Sequence, residues 1–363
     1  LAIEAAVIAV ALLVLSRSYI LAAILVLVVL VLAVPIKGHS VLGWVRQRWR
    51  YARRKPTPKV RDDVPLDLVP LAEWVPGLSV SQTSAGRSGE LGVIADGQAW
   101  TAVLALVSDD DLLADKGEKI DLDALSGLTV QDDIVFAGVQ VVTYTVPAPT
   151  TVLLGGQSMA ATAYLEISKE PPPPTMRRTW LCLRLDPRLC LEAVALRGAN
   201  HDGIYGTLRF GLHRVQSALK RQGIETRALS PLEIYEVLSL TSGSGPEGGK
   251  NRSKENWVTW SCDGLVHKGC MVRRWGRTAS SGYQALQQAV GRAPVLFAVT
   301  SYTLAPNRSA SGGVRLVAPS AEAAAAAADV VESSLRGEVA FGPPSGDQVP
   351  TMLATIPLGR GVR

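Results

Sequence analysis

Residues 177–187 read Arg177-Arg178-Thr179-Trp180-Leu181-Cys182-Leu183-Arg184-Leu185-Asp186-Pro187. Alternation of Trp180 and Cys182 with the flanking leucines predicts a buried strand. Asp186-Pro187 ends it, because proline has no N–H to give to a ladder.

Outward from this strand, helices and further strands follow in both directions. Leu208, Leu212, Val215 and Leu219 recur at three- and four-residue spacing, with Arg209, Arg214, Lys220 and Arg221 off that face, so a helix is expected over 202–222, stopped at Gly223. Ser230-Pro231-Leu232-Glu233 is a helix start: serine caps, proline takes the first helical position and glutamate reaches back to the cap. Trp257–Cys262 and Cys270–Trp275 form an expected hairpin around Asp263-Gly264. Val295–Leu304 and Gly313–Val317 read as strands, and Ser320–Leu335 as an alanine-rich helix. On the other side, Ile134–Val146 is β-rich, and Glu90–Ala95 and Gln98–Val107 are joined by Asp96-Gly97, a pair that tolerates the positive φ of a tight turn. Interleaved strands and helices make this a mixed α/β domain.

The amino end reads differently. Leu1–Leu15 and Ile20–Ile36 are apolar and separated only by Ser16, Arg17, Ser18 and Tyr19. The second is long enough for a spanning helix, and the first, which opens on Leu1 rather than methionine, is expected to have lost a few upstream residues and to span as well. The expected fold class is therefore a membrane α-helical hairpin of two transmembrane helices plus a mixed α/β cytosolic domain. Its parts are the hairpin at 1–36, a basic juxtamembrane segment at 37–63 and the cytosolic domain at 64–363. The stretch 56–90 reads as a tether, and 241–255, rich in Gly, Ser, Lys and Asn, as a flexible loop.

Charge orients the chain. Arg46, Arg48, Arg50, Arg53, Arg54, Lys55, Lys59 and Arg61 follow the second apolar stretch without an acid among them, which puts this side in the cytoplasm. Without those eight, the remainder holds 29 Lys and Arg against 32 Asp and Glu, so the formal charge of +5 is local and a nucleic-acid role loses its electrostatic support. Trp44, Trp49 and Tyr51 interleave with the basic residues. Aromatic rings anchor at headgroup depth and cations favour anionic lipid, so Trp44, Arg46, Arg48, Trp49, Arg50, Arg53, Arg54 and Lys55 are expected to contact anionic membrane lipid or a partner.

No catalytic, cofactor or metal constellation emerges. Cys182, Cys190, Cys262 and Cys270 form two pairs at a spacing longer than that of structural zinc ligands, and read as core residues. Asp109-Asp110-Asp111 reads as an acidic loop before a helix, and Pro171-Pro172-Pro173-Pro174 as a stiff spacer. Gly248-Gly249-Lys250 lacks the glycine, the Ser or Thr and the preceding strand of a phosphate loop. Of the histidines, only His201, beside Asp202, offers a base next to a carboxylate, and Asp202 is better explained as a helix cap.

The hairpin, the basic run, the turn at Asp96-Gly97 and above all Arg177, Arg178, Thr179 and Trp180 with Asp186 and Pro187 beyond resemble the EccE component of actinobacterial, chiefly mycobacterial, type VII (ESX) secretion systems. The resemblance implies a non-enzymatic subunit, multi-pass in the inner membrane with its soluble domain cytoplasmic, that stabilises an export complex around the EccC ATPase. The partners it implies are EccB, EccC, EccD and a mycosin protease, with no cofactor. The alternative is a membrane-tethered α/β enzyme acting on a nucleotide- or lipid-linked substrate, which requires a deep polar pocket.

Overall fold

A computed structural model describes residues 35–36, 39–57, 60–84, 90–107, 120–147, 159, 175–198, 200–245, 252–342 and 345–361. The chain divides into two compact units, Leu1–Lys55 and Pro56–Arg363.

In the first unit, Pro35–Ile36 (β1) pairs antiparallel with His39–Ser40 (β2), and the helix Val41–Arg53 (α1) follows. This corrects the expected fold class. The second span is expected to continue as a helix through Ile36, yet Pro35 and Ile36 are extended, because Pro35 has a fixed φ and no N–H with which to continue a helix. Among the described residues no helix is long and apolar enough to cross a membrane, and the 13-residue α1 carries Arg46, Arg48, Arg50 and Arg53. Residues 1–34, where the rest of the expected two-helix membrane hairpin falls, lie outside the described residues.

Among the described residues, the second unit is built on one antiparallel sheet of 13 strands rather than on simple alternation of strand and helix. In chain order the strands are Leu78–Ser84 (β3), Glu90–Asp96 (β4), Trp100–Leu106 (β5), Val130–Gln131 (β6), Ile134–Val146 (β7), Met176–Leu185 (β8) and Thr226–Ala228 (β9). Then come Ser253–Glu255 (β10), Trp260–Cys262 (β11), Leu265–Arg274 (β12), Phe297–Leu304 (β13), Ser311–Ala318 (β14) and Ala340–Phe341 (β15). The spatial order is β10-β11-β12-β14-β13-β7-β8-β5-β4-β3, with β15 on β12, β6 on β7 and β9 on β5. The helices are Val69–Ala72 (α2), Leu191–Leu196 (α3), Asn200–Arg221 (α4), Pro231–Ser242 (α5), Ala279–Gly291 (α6), Ala321–Ser334 (α7) and Gln348–Thr355 (α8).

β8 lies between β7 and β5, and its side chains divide between two cores. Leu181, Leu183 and Leu185 pack with Leu208, Leu212 and Val215 of α4, whereas Trp180 and Cys182 pack with Leu238 of α5 and Met352 of α8. Burial on both faces is why this strand reads as a nearly continuous apolar run. A third core joins Val314 and Leu316 of β14 to α6 and α7.

Local chemistry sets the element ends. Ser230 and Glu233 form the capping box of α5, and Gly243 closes that helix at φ 69°. Gly97 turns β4 into β5 at φ 83°. The stretch expected as a tether is instead structural: Leu68, Leu71 and Val75 are buried in the core that holds Trp180, together with Leu78, which opens β3. Thr241 and Ser242 end α5 and Ser253–Glu255 form β10, while 246–251, like Asp109-Asp110-Asp111 and the four prolines, lie outside the described residues.

Candidate functional site

Along α1 the side chains separate by exposure. Trp44 and Trp49 are 44% and 53% exposed, with Val45, Arg46, Arg48, Arg50 and Arg53 beside them; Gln47 is buried, and Gly43, Tyr51 and Arg54 are half-buried along its side. Positions four apart are neighbours on a helix. Accordingly, the Arg53 guanidinium lies 3.6 Å from the Trp49 ring centroid and that of Arg48 lies 5.7 Å from Trp44. Each exposed indole thus carries a cation on its face. Arg54 and the exposed Lys55 continue the basic run.

The second group of expected residues lies in and after β8. Thr179 and Trp180 are buried, and the hydroxyl of Thr179 is 2.9 Å from that of Thr143 on β7. Arg177 donates from Nη2 to the carbonyl of Gln287 on α6 at 3.1 Å, while Arg178 points to solvent. Asp186 accepts the amide of Arg188 at 3.1 Å and pairs with its guanidinium at 2.7 Å, capping a single 3-10 turn that begins at Pro187.

The sheet holds two buried polar clusters, one at β8 and one at β12 and β14. Asp96 accepts Nη1 of Arg184 at 2.5 Å and Nη2 of Arg360 at 2.6 Å. Burial pushes the Asp96 carboxyl up, but the two guanidinium groups outweigh it and hold it below the ordinary range. The carbonyl of Leu358 accepts from Arg184 and from Thr101, both at 3.0 Å, and Gly359 gives its amide to Gln140 at 2.8 Å, so residues 358–360 are strapped to the sheet. In the second cluster, the fully buried Arg315 donates to Thr355 at 2.9 Å, to the carbonyl of Thr241 and to Nδ1 of His267 at 2.7 Å. Burial and the Arg315 charge drive the His267 pKa well below its ordinary value; burial likewise lowers Arg315 to about 9.

A groove of about 740 Å³ runs between α4 and β9, lined by Arg209, His213 and Lys220 on the helix and by Glu225, Arg227 and Glu233 opposite. Arg227 and Glu233 are paired along that second wall at 2.6 Å. Burial raises the Glu233 carboxyl, but the Ser230 amide and the Arg227 guanidinium hold it below its usual range. His201 is exposed beside Trp100, 6.0 Å between ring centroids, and does not enter the groove. Asp202 lies in the first turn of α4 rather than at its cap, since the helix begins at Asn200. Cys182, Cys190 and Cys262 are buried, Cys270 is half-buried, and none is in a disulfide. Among the described residues, no three of His, Cys, Asp or Glu are grouped to hold a metal ion.

Compared with known families, residues 174–271 match the one described as "Putative type VII ESX secretion system translocon, EccE". This segment is EccE-like. No curated protein matches the chain. The EccE segment opens just before β8 and runs through α3, α4, β9, α5, β10 and β11 into β12, so it holds Arg177, Arg178, Thr179, Trp180, Asp186 and Pro187 and one wall of each polar cluster. The other walls, Asp96, Arg315 and Arg360, lie outside it.

The sequence contains a sign of the Asp96 cluster that composition alone does not expose. Arg184 interrupts the apolar run from Trp180 to Leu185 within a buried strand, and a buried guanidinium demands an acceptor. Which acceptor it finds depends on the sheet order, which brings β4 within reach of β8 across β5.

Proposed function

We propose that this chain is a non-enzymatic subunit of a type VII secretion complex, held at the inner face of the plasma membrane, where it stabilises the assembly around the EccC ATPase. In this reading it meets EccB, EccC and EccD and stands near the mycosin protease. The observation that carries it is the EccE match over 174–271, a segment that includes β8 and the helices α4 and α5, which pack against its two faces. Further support comes from the polar groups: the large buried charges are tied to other elements of the sheet, as Arg184 is to Asp96, which fits a rigid contact body. α1 supplies a second surface. Its exposed Trp44 and Trp49, with Arg46, Arg48, Arg50, Arg53, Arg54 and Lys55, suit contact with anionic lipid or with an acidic neighbour.

The test is purification of the tagged full chain in mild detergent from cells that express a complete type VII system. EccB, EccC and EccD should accompany it at fixed stoichiometry. Recovery of the chain alone, from cells whose remaining subunits still assemble, would overturn the reading.

A further inference from the structure

The two ends of the large sheet are finished differently. β10, at one end, is three residues long, carries Lys254 and Glu255, and has its Ser253 amide and hydroxyl taken up by Glu73. A short, charged and covered strand of this kind does not recruit another. β3, at the opposite end, is seven residues long, Leu78-Ser79-Val80-Ser81-Gln82-Thr83-Ser84, with no charge and no proline, and pairs with β4 without a bulge. Among the described residues, none of the usual devices blunts it.

The direction of its main-chain groups follows from β4. Asp96 gives its amide to Ala99 and Gly92 gives its amide to Leu229, so the even-numbered residues of β4 face away from β3 and the odd-numbered ones bond to it. In the observed register Ala95, Val93 and Leu91 oppose Ser79, Ser81 and Thr83. Val80 and Gln82 therefore turn their amides and carbonyls outward, and among the described residues nothing pairs with that edge. Two further outward groups are already satisfied within the chain: the Leu78 amide donates to Val75 at 2.9 Å, and the Ser84 carbonyl accepts from Arg209 at 2.8 Å.

We propose that β3 is a docking edge for a second copy of this chain, paired antiparallel about a two-fold axis at Ser81. In that register Val80 of each copy faces Gln82 of the other, giving four main-chain hydrogen bonds, and Ser81 faces Ser81. The same register sets the Leu78 amide opposite the Ser84 carbonyl, the two groups that each copy has already satisfied internally. No like charges are opposed, because the strand has none. A foreign strand would gain the same four bonds but would not explain why the two closed groups are related by the axis. Five or so residues of strand pairing bury far less than the roughly 1,200–2,000 Å² of a stable interface, so the pairing is weak for free copies and strengthens when they are held at high local concentration.

The test uses the full chain with Ser81→Cys or Thr83→Cys under mild oxidation. Directly opposed residues of a pair that does not exchange hydrogen bonds have Cα atoms about 4.5 Å apart, within disulfide reach. The two Thr83 residues would be offset by four positions, about 13 Å, beyond it. S81C should form a disulfide dimer with rising protein concentration, and T83C should not. Adding Gln82→Pro to S81C should abolish the dimer with the melting temperature kept, since that amide faces outward and proline is tolerated there. Equal linking of S81C and T83C, or linking of S81C that survives Q82P, would overturn the proposal. It would equally be overturned if S81C stayed monomeric while Q82P lost another subunit from the purified complex, which would assign the edge to a foreign strand.

Discussion

Arg184 on β8 reaches past β5 to set its Nη1 2.5 Å from Oδ2 of Asp96, a carboxylate that also accepts the amides of Gln98 and Ala99 at 3.1 and 3.0 Å. One buried side chain thereby closes the turn after β4, neutralises a strand arginine and, through Arg360, holds the C-terminal strap.

Removing Asp96 leaves Arg184 buried without a counter-charge, which typically costs about 3–5 kcal/mol. Asp96→Ala should lower the unfolding free energy extrapolated from urea titration by that amount. Arg360→Ala, which leaves Arg184 and Asp96 paired, should cost less than half as much. Equal losses in the two variants would show that the three groups do not divide in this way.

The same pair makes stability acid-sensitive. The folded carboxyl of Asp96 is held below its unfolded value, so its stabilisation is complete above about pH 4 and is lost as the pH falls from there through the lowered native value. Asp96→Asn should flatten the unfolding profile in that window only.

His267 acts in a separate window. Its folded pKa is lowered, so the unfolded chain takes up a proton first, and stability should fall by about 1.4 kcal/mol per pH unit below roughly pH 6.5, until the folded imidazole also titrates. Gln in its place keeps an acceptor for Arg315 and cannot protonate. Melting of His267→Gln should therefore lose the slope between about pH 6.5 and 5, and a slope that persists would assign it to another group.

Most of the sheet was legible because its strands have strong local signs: Trp180 and Cys182 alternate with leucines, and Asp96-Gly97 can adopt only a few turn shapes. β3 was not, since Ser79, Ser81, Gln82, Thr83 and Ser84 show no apolar alternation at an edge with little to bury. The core role of Leu68, Leu71 and Val75 was hidden by neighbouring prolines, which read as a tether although Pro70 itself is buried in a short helix. Among candidate site residues, Trp44, Trp49 and the arginines of α1 were visible from composition. The strap was not, because Arg360 and Asp96 meet across 264 residues of sequence.

The strap also depends on two glycines. A Cβ on Gly138 would lie 2.3 Å from the carbonyl oxygen of Gly359, a main-chain atom that a rotamer change cannot move, whereas a Cβ on Gly127 would meet nothing within 4 Å. Gly138→Ala should cost about 1–3 kcal/mol and speed amide exchange at 358–360, and Gly127→Ala should do neither. Comparable exchange in both variants would show that the strap does not rest on that contact.

α1 allows the contact surface to be tested apart from the sheet. Arg46, Arg50 and Arg53 are exposed, and each cation near an anionic surface contributes about 1 kcal/mol, so reversing all three to Glu should remove at least 3 kcal/mol of attraction, more than a hundredfold in an equilibrium. On the proposed function, recovery of EccB, EccC and EccD with the tagged chain should drop at least tenfold, the melting temperature should hold, and Lys in place of Glu at the three positions should restore recovery. Trp44→Ala with Trp49→Ala should weaken the same step while keeping its salt dependence, because it removes apolar anchors and leaves the charges in place. If recovery is unchanged in the Glu variant, the basic face of α1 is an ordinary solvated surface and the contact lies elsewhere on the chain.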